Sequence, residues 1–254
     1  MKRTLLLSLI LGSSTLLTGC LSSLSLDEGL AMGLQGAKAM SLSDTEMREV
    51  TNQSCAEMDK SNRIAANNSQ YGKRLRNITK GLPTSVDGVP LNYKVYLTND
   101  VNAWAMPNGC IRVYSGLMDM MTDDEVRGVL GHEIGHVALG HSKNRILLAM
   151  MASLGRDMLA KHSSETVSAL SRTEIGDIGE KFINAQFSQK QETAADDYSF
   201  DLHIKQKRNP APIAAAFDKL AAKSGSSDAL GDIMSSHPAP KKRADRVRSK
   251  IDKL

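Results

Sequence analysis

"GHEIGHVALGH", residues Gly131 to His141, gathers three of the chain's six histidines and one glutamate into eleven positions. On an α-helix, residues four apart point about 40° from each other and lie about 6 Å apart along the axis. His132 and His136 can therefore offer two imidazole nitrogens to one ion, with Glu133 beside the first. This HExxH spacing supplies two zinc ligands and a carboxylate able to take a proton from water. The competing reading is a buried helix that carries the pattern by chance, so a second element has to be found elsewhere in the chain.

Working outward, Thr122 and Glu125 stand at capping-box spacing and open a helix that reaches Gly140. A catalytic zinc site needs a third protein ligand and one open position. His141 follows His136 by five residues, about 140° round a continuing helix, and is expected to face away as a helix-end or packing histidine. A metzincin would need glycine and histidine where Leu139 and Ser142 stand. The better candidate lies in "FSQKQETAADDYS", residues 187–199, where Glu192 and Asp196 sit four apart on a predicted helix. Ala194 and Ala195 between them would let that helix come close to the first. The alternative is a solvated acidic stripe, to which Asp197 and Asp201 would belong.

The rest of the chain sets the scaffold. Ser43 and Glu46 begin a helix through Lys60, and a second helical pattern covers about Ser61 to Lys80, stopped by Gly81-Leu82-Pro83. β-branched and aromatic residues then alternate. Strands are expected near Leu91–Thr98, Val101–Met106 and Cys110–Ser115, with a Pro107-Asn108-Gly109 turn. Further helices are expected at Lys143–Lys161, Glu174–Asn184, Lys190–Gln206, Pro212–Lys223 and Pro238–Lys253. The segment from Ser142 to Lys181 is compatible with a core helix, a lid or a membrane-facing surface. The fold class is α+β, mostly helical, with a small β-sheet beside the HExxH helix.

The first twenty residues, "MKRTLLLSLILGSSTLLTGC", combine Lys2 and Arg3, an apolar stretch too short to span a bilayer, and small residues before a cysteine. Leu17-Thr18-Gly19-Cys20 resembles the bacterial lipobox, so residues 1–19 are expected to be a lipoprotein signal peptide, Cys20 the lipidated residue, 20–42 a tether and 43–254 the folded domain. Leu21, rather than aspartate, implies the outer membrane and a domain facing the periplasm. Removing Lys2 and Arg3 lowers the formal charge from +4 to +2, which invites no nucleic acid. Cys55 and Cys110 remain in an oxidising compartment. They are either two buried thiols or a disulfide closing a loop of about fifty residues, worth roughly 4 kcal/mol, and the compartment favours the disulfide.

Three stretches together carry a resemblance: "NAWAMPNGCIRVYSGLMDMMTDDEVRGVLGHEIGHVALGH" (102–141), "SQKQETAAD" (188–196) and "SSHPAPKKRADR" (235–246). The chain resembles the gluzincin zinc metallopeptidases, the family of HtpX and the CAAX prenyl proteases, which includes envelope lipoproteins. The resemblance implies a zincin-like domain holding one Zn2+. His132, His136 and Glu192 would be ligands, Glu133 the general base and Asp196 the partner that orients a ligand histidine. Ser188-Gln189 departs from the Ser-Arg usual before the family's glutamate, so no arginine role transfers there. His237, before Pro238, matches a position from which a histidine can gate the zinc or support an oxyanion; the local alternative is an ordinary helix start. The strand around Asn102, Ala103 and Trp104 resembles the family's substrate-binding edge strand, unless Trp104 simply packs in the core. Expected partners are unfolded or misassembled envelope proteins, the membrane through Cys20, and other envelope quality-control factors. The competing function is a zinc-bound scaffold or chaperone-like assembly factor whose peptidase activity is blocked.

Overall fold

Helix α1 (Asp44–Ser61) opens with the expected capping box: Ser43 Oγ accepts from the Glu46 amide, and the Glu46 carboxylate accepts from the Ser43 amide at 2.7 Å. The computed structural model describes residues 43–154, 170–223 and 231–254. The expected signal peptide, Cys20 and tether lie outside the described residues, as does 155–169 of the open segment.

Helix α2 (Gln70–Ile78) starts later than its pattern suggests. The residues ahead of it are drawn into sheet pairing: Ala65 donates to the Val95 carbonyl, Leu97 donates to the Arg63 carbonyl, and Ser69 then caps the helix. A short hairpin follows, β1 (Ser85–Val86) and β2 (Val89–Pro90). Asp87 and Gly88 at its tip both have positive φ, 48° and 77°, as a primed hairpin turn requires.

The main sheet has β3 (Asn92–Tyr96), β4 (Ala103–Ala105) and β5 (Cys110–Tyr114) in the order β3-β5-β4. β3 runs parallel to β5, while β4 pairs antiparallel to it with Trp104 opposite Arg112. Beyond the sheet come α3 (Ser115–Met120), α4 (Asp123–Ala138), α5 (His141–Leu154), α6 (Arg172–Asn184), α7 (Gln189–Lys205), α8 (Ala211–Lys223), α9 (Gly231–Ser236) and α10 (Pro240–Ile251). The result is the expected α+β domain, with α4 packed on β4.

Helix α4 is the central element. Its Thr122–Glu125 capping box forms, and every residue from Glu125 to His136 is buried. Glycines let α7 approach it closely. A Cβ built on Gly135 would lie 3.1 Å from Ala195 Cα and 3.0 Å from Tyr198 Cβ, and one on Gly131 would lie 2.7 Å from Ser199 Oγ. The Ser199 hydroxyl in turn donates to the Gly128 carbonyl at 2.8 Å. Small residues on both helices thus bring the Glu192 helix against the HExxH helix.

A second core gathers α1, α5 and α6 against the sheet. Ile146, Leu147 and Met150 of α5 are buried there with Ile178 and Phe182. Residues 142–154 of the open segment therefore lie in a core helix, and among the described residues no helix is long and apolar enough to cross a membrane. Cys55 of α1 and Cys110 of β5 form the expected disulfide. Beside it, Arg112 donates to both Asp59 oxygens at 2.8 and 2.9 Å. Burial alone would raise the Asp59 carboxyl, but the bonds from Arg112 and Lys94 outweigh it and hold the group below its ordinary value.

Candidate metal centre

His132 and His136, one turn apart on α4, put their Nε2 atoms 2.9 Å from each other. Glu192, in the first turn of α7, places Oε1 3.1 Å from His136 Nε2 and Oε2 3.7 Å from His132 Nε2. His237, just past α9, contributes Nδ1 at 3.3 Å from His132 Nε2 and 3.0 Å from Glu192 Oε1. One donor atom from each of the four lies within 4.8 Å of all the others, and all four residues are buried. Four ligands at zinc's usual bond lengths of about 2.0–2.2 Å would stand roughly 3.3–3.6 Å apart.

The hydrogen bonding around this cluster indicates that a cation belongs in it. Asp196 Oδ1 lies 2.9 Å from His132 Nδ1. A carboxylate only accepts, so His132 carries its hydrogen on Nδ1 and turns the Nε2 lone pair inward, toward Glu192 and His136. Neither Glu192 Oε2 nor His237 Nε2 has a satisfactory hydrogen bond: the first is ion-paired to Arg243, and the second only approaches Glu133, at 3.6 Å. Converging acceptors in a dry interior repel one another unless a positive ion joins them. Two imidazoles, a carboxylate and a further imidazole suit zinc well.

Arg243 of α10 locks the carboxylates in place. Its Nε and Nη2 meet the two Asp196 oxygens at 2.9 and 2.6 Å, its Nη1 pairs with Glu192, and the guanidinium lies 4.1 Å from the Phe217 ring centroid. Burial alone would raise the Glu192 and Asp196 carboxyls. The Arg243 charge overrides it, holding Glu192 well below the usual carboxylate range and Asp196 below its own ordinary value. Glu133 differs: burial raises its carboxyl, against the partial opposition of His237 and His132. Its nearest basic neighbour is His237 Nε2, at 3.6 Å. A raised carboxyl beside two ligand histidines is suited to accepting a proton near neutral pH.

His141 does not face away. Helix α4 ends at Ala138, and Gly140 turns the chain through φ 70°. His141 then opens α5 and sits with its Nδ1 3.1 Å from His136 Nδ1. The 140° offset does not apply, because the glycine turn separates His136 and His141 into two helices. Burial lowers His141 to about 4, so it is neutral at ordinary pH.

Asn102, Ala103 and Trp104 lie on or beside the edge strand β4, and each is only 1% exposed. The Ala103 amide donates to Asn102 Oδ1, the Ala105 carbonyl accepts from Ser142 Oγ, and Trp104 packs in the core with its ring edge-on to Tyr96. Arg145 and Phe187 carry no sequence assignment, because their neighbours come from distant parts of the chain and no local spacing marks them. Arg243 lies in the stretch "SSHPAPKKRADR" and matches an arginine of the resembled family, structural or transition-state supporting, to which the sequence alone assigns no definite role.

Two helix-borne imidazoles, a carboxylate from a second helix and a neighbouring base define the class: a zinc metallopeptidase. Within that class the chain belongs to peptidase family M48, whose model matches residues 70–251. It is 47% identical to metalloprotease YcaL of Escherichia coli over 99% of this chain and 98% of that one. It is 46% identical to metalloprotease LoiP of the same organism, over 94% of this chain and 93% of that one. The mitochondrial metalloendopeptidase OMA1 of Arabidopsis thaliana is 33% identical over 61% of this chain, which is 30% of the relative.

Proposed function

We propose that the chain is a lipid-anchored endopeptidase of the outer membrane, facing the periplasm, that hydrolyses peptide bonds of unfolded or misassembled envelope proteins. Residues 1–19 are its signal peptide, Cys20 carries the lipid, and residues 20–42 tether the domain formed by 43–254. The observation that carries the catalytic part is the convergence of His132, His136 and Glu192, with Glu133 beside them. A zinc ion held by the three would supply Lewis acidity to a water molecule and to the scissile carbonyl. Glu133 takes a proton from the water and delivers it to the leaving amine. Asp196 and Arg243 keep His132 and Glu192 in coordinating orientation. An extended substrate adds to β4 once Asn102 and Ser142 release the backbone groups they now occupy, and this mode selects unfolded segments.

His237 supports a resting state. Its Nδ1 takes the fourth corner of the ligand set, the position that catalytic zinc sites leave open and structural sites fill. We assign it a gating role, in which the ring withdraws when substrate arrives. The same observation is what favours the second reading, a zinc-bound scaffold or chaperone-like assembly factor with blocked activity.

One experiment separates them: cleavage of unfolded casein by the wild type, Glu133→Gln and His237→Ala, with zinc content measured for each. The peptidase reading expects cleavage by the wild type or by His237→Ala, lost with zinc retained when Glu133→Gln is introduced into whichever of the two cleaves. Zinc without cleavage in all three leaves the scaffold. Fractionation of Cys20→Ala cells tests the anchor: the variant should leave the outer membrane for the soluble periplasm, and retention at the membrane refutes it.

A further inference from the structure

Two groups that are not among the ligands contact His136, and no step of the proposed hydrolysis uses them. The first is His141, whose Nδ1 lies 3.1 Å from His136 Nδ1. The second is Phe187, in the link between α6 and α7. Its ring is stacked on the His136 imidazole with centroids 3.6 Å apart and planes 14° from parallel. Phe187 is itself held: it is 3% exposed, and the buried Arg145 guanidinium lies 4.3 Å from its centroid and 4.8 Å from that of Phe182.

The hydrogen count settles what His141 must do. Nitrogen Nε2 of His136 faces Glu192 and His132, so it must offer a lone pair to a metal, and the ring hydrogen then sits on Nδ1. Two facing Nδ1 atoms cannot both donate. His141 therefore accepts from His136 through Nδ1 and keeps its own hydrogen on Nε2. His132 has the corresponding bond to the Asp196 carboxylate, so the two ligand histidines are oriented by different chemistry, one by an anion and the other by a neutral ring.

We infer that His141 and Phe187 are positioning residues for the metal: His141 fixes the tautomer of His136 by accepting its Nδ1 hydrogen, and Phe187 fixes the plane of the ring. The inference rests on the zinc reading of the centre. Gly140 makes it possible, because its left-handed turn is what returns the chain to the His136 side.

The test measures zinc dissociation constants by chelator competition, and the visible spectrum of the cobalt(II)-substituted protein, for full-length wild type, His141→Leu, His141→Asn and Phe187→Leu. Melting of the zinc-free forms serves as the folding control. Loss of an orienting partner lowers metal affinity about 10–100-fold. His141→Leu and Phe187→Leu should fall in that range with altered cobalt spectra and little change in zinc-free melting. His141→Asn, which retains an acceptor at the δ position, should recover most of the affinity. Leucine variants that bind zinc like the wild type, or an asparagine variant as weak as His141→Leu, overturn the inference and leave the zinc reading intact. A wild type that binds no zinc overturns both.

Discussion

Replacing Arg243 by glutamine should destabilise the zinc-free protein far more than the zinc-loaded one. The side chain is 8% exposed and holds two carboxylates, Glu192 at 2% and Asp196 at 1%. Glutamine cannot reproduce the two-pronged bond to Asp196 or any of the charge. Removing one partner of a buried pair costs about 3–5 kcal/mol, because the remaining charge stays uncompensated in a dry interior. For a domain of this size that is a melting-temperature drop of roughly 6–20 °C. Zinc replaces the missing positive charge at Glu192, so its presence should recover a large part of the loss. The assay is thermal and urea unfolding of both proteins, each with excess chelator and with zinc. A loss under about 1 kcal/mol without metal, or an equal loss in both states, would refute the assignment of Arg243 as counter-charge to the ligand carboxylate.

Three further outcomes follow from the packing and the charges. Gly135→Ala gains up to about 1 kcal/mol of helix propensity but forces a methyl against Ala195 and Tyr198, where overpacking costs about 1–3 kcal/mol. Chelator competition should show weaker zinc binding as α7 is displaced, and unchanged affinity with raised stability would contradict this. His203 is buried, and burial lowers its imidazole below the ordinary value. Below about pH 6.5 the unfolded chain takes up a proton that the folded one resists, so the stability present at higher pH declines as the pH falls. His203→Gln should flatten that part of the pH–stability curve, and an unchanged slope would count against it. Replacing Cys55 and Cys110 together by alanine should lower stability by about 4 kcal/mol, from the loop that the bridge closes. A change below about 1 kcal/mol in urea unfolding would show that the bridge contributes little.

The parts of the fold legible in sequence were those with local signals. Three of the four capping boxes formed by the described residues lie on helices anticipated at nearly their observed start, including α4 and α7. HExxH and the Glu192–Asp196 pair were readable because four-residue spacing fixes a helix face whatever the tertiary context. Residues 63–65 were missed because pairing with β3 overrides a helical pattern. The Asp87-Gly88 dipeptide is a turn signal, but the two-residue strands beside it are too short to alternate, and α9 is too short to show periodicity. Arg243 reaches the centre because α10 packs on α7 and α8, and α8 on α4, while Phe187 is placed by the link between α6 and α7; no single stretch records either approach.

Anomalous diffraction at the zinc edge, from crystals of the purified protein, addresses the central claim most directly. The account predicts one strong peak per chain, within bonding distance of His132 Nε2, His136 Nε2 and a Glu192 oxygen. No peak there, or a zinc held by other side chains, would contradict it.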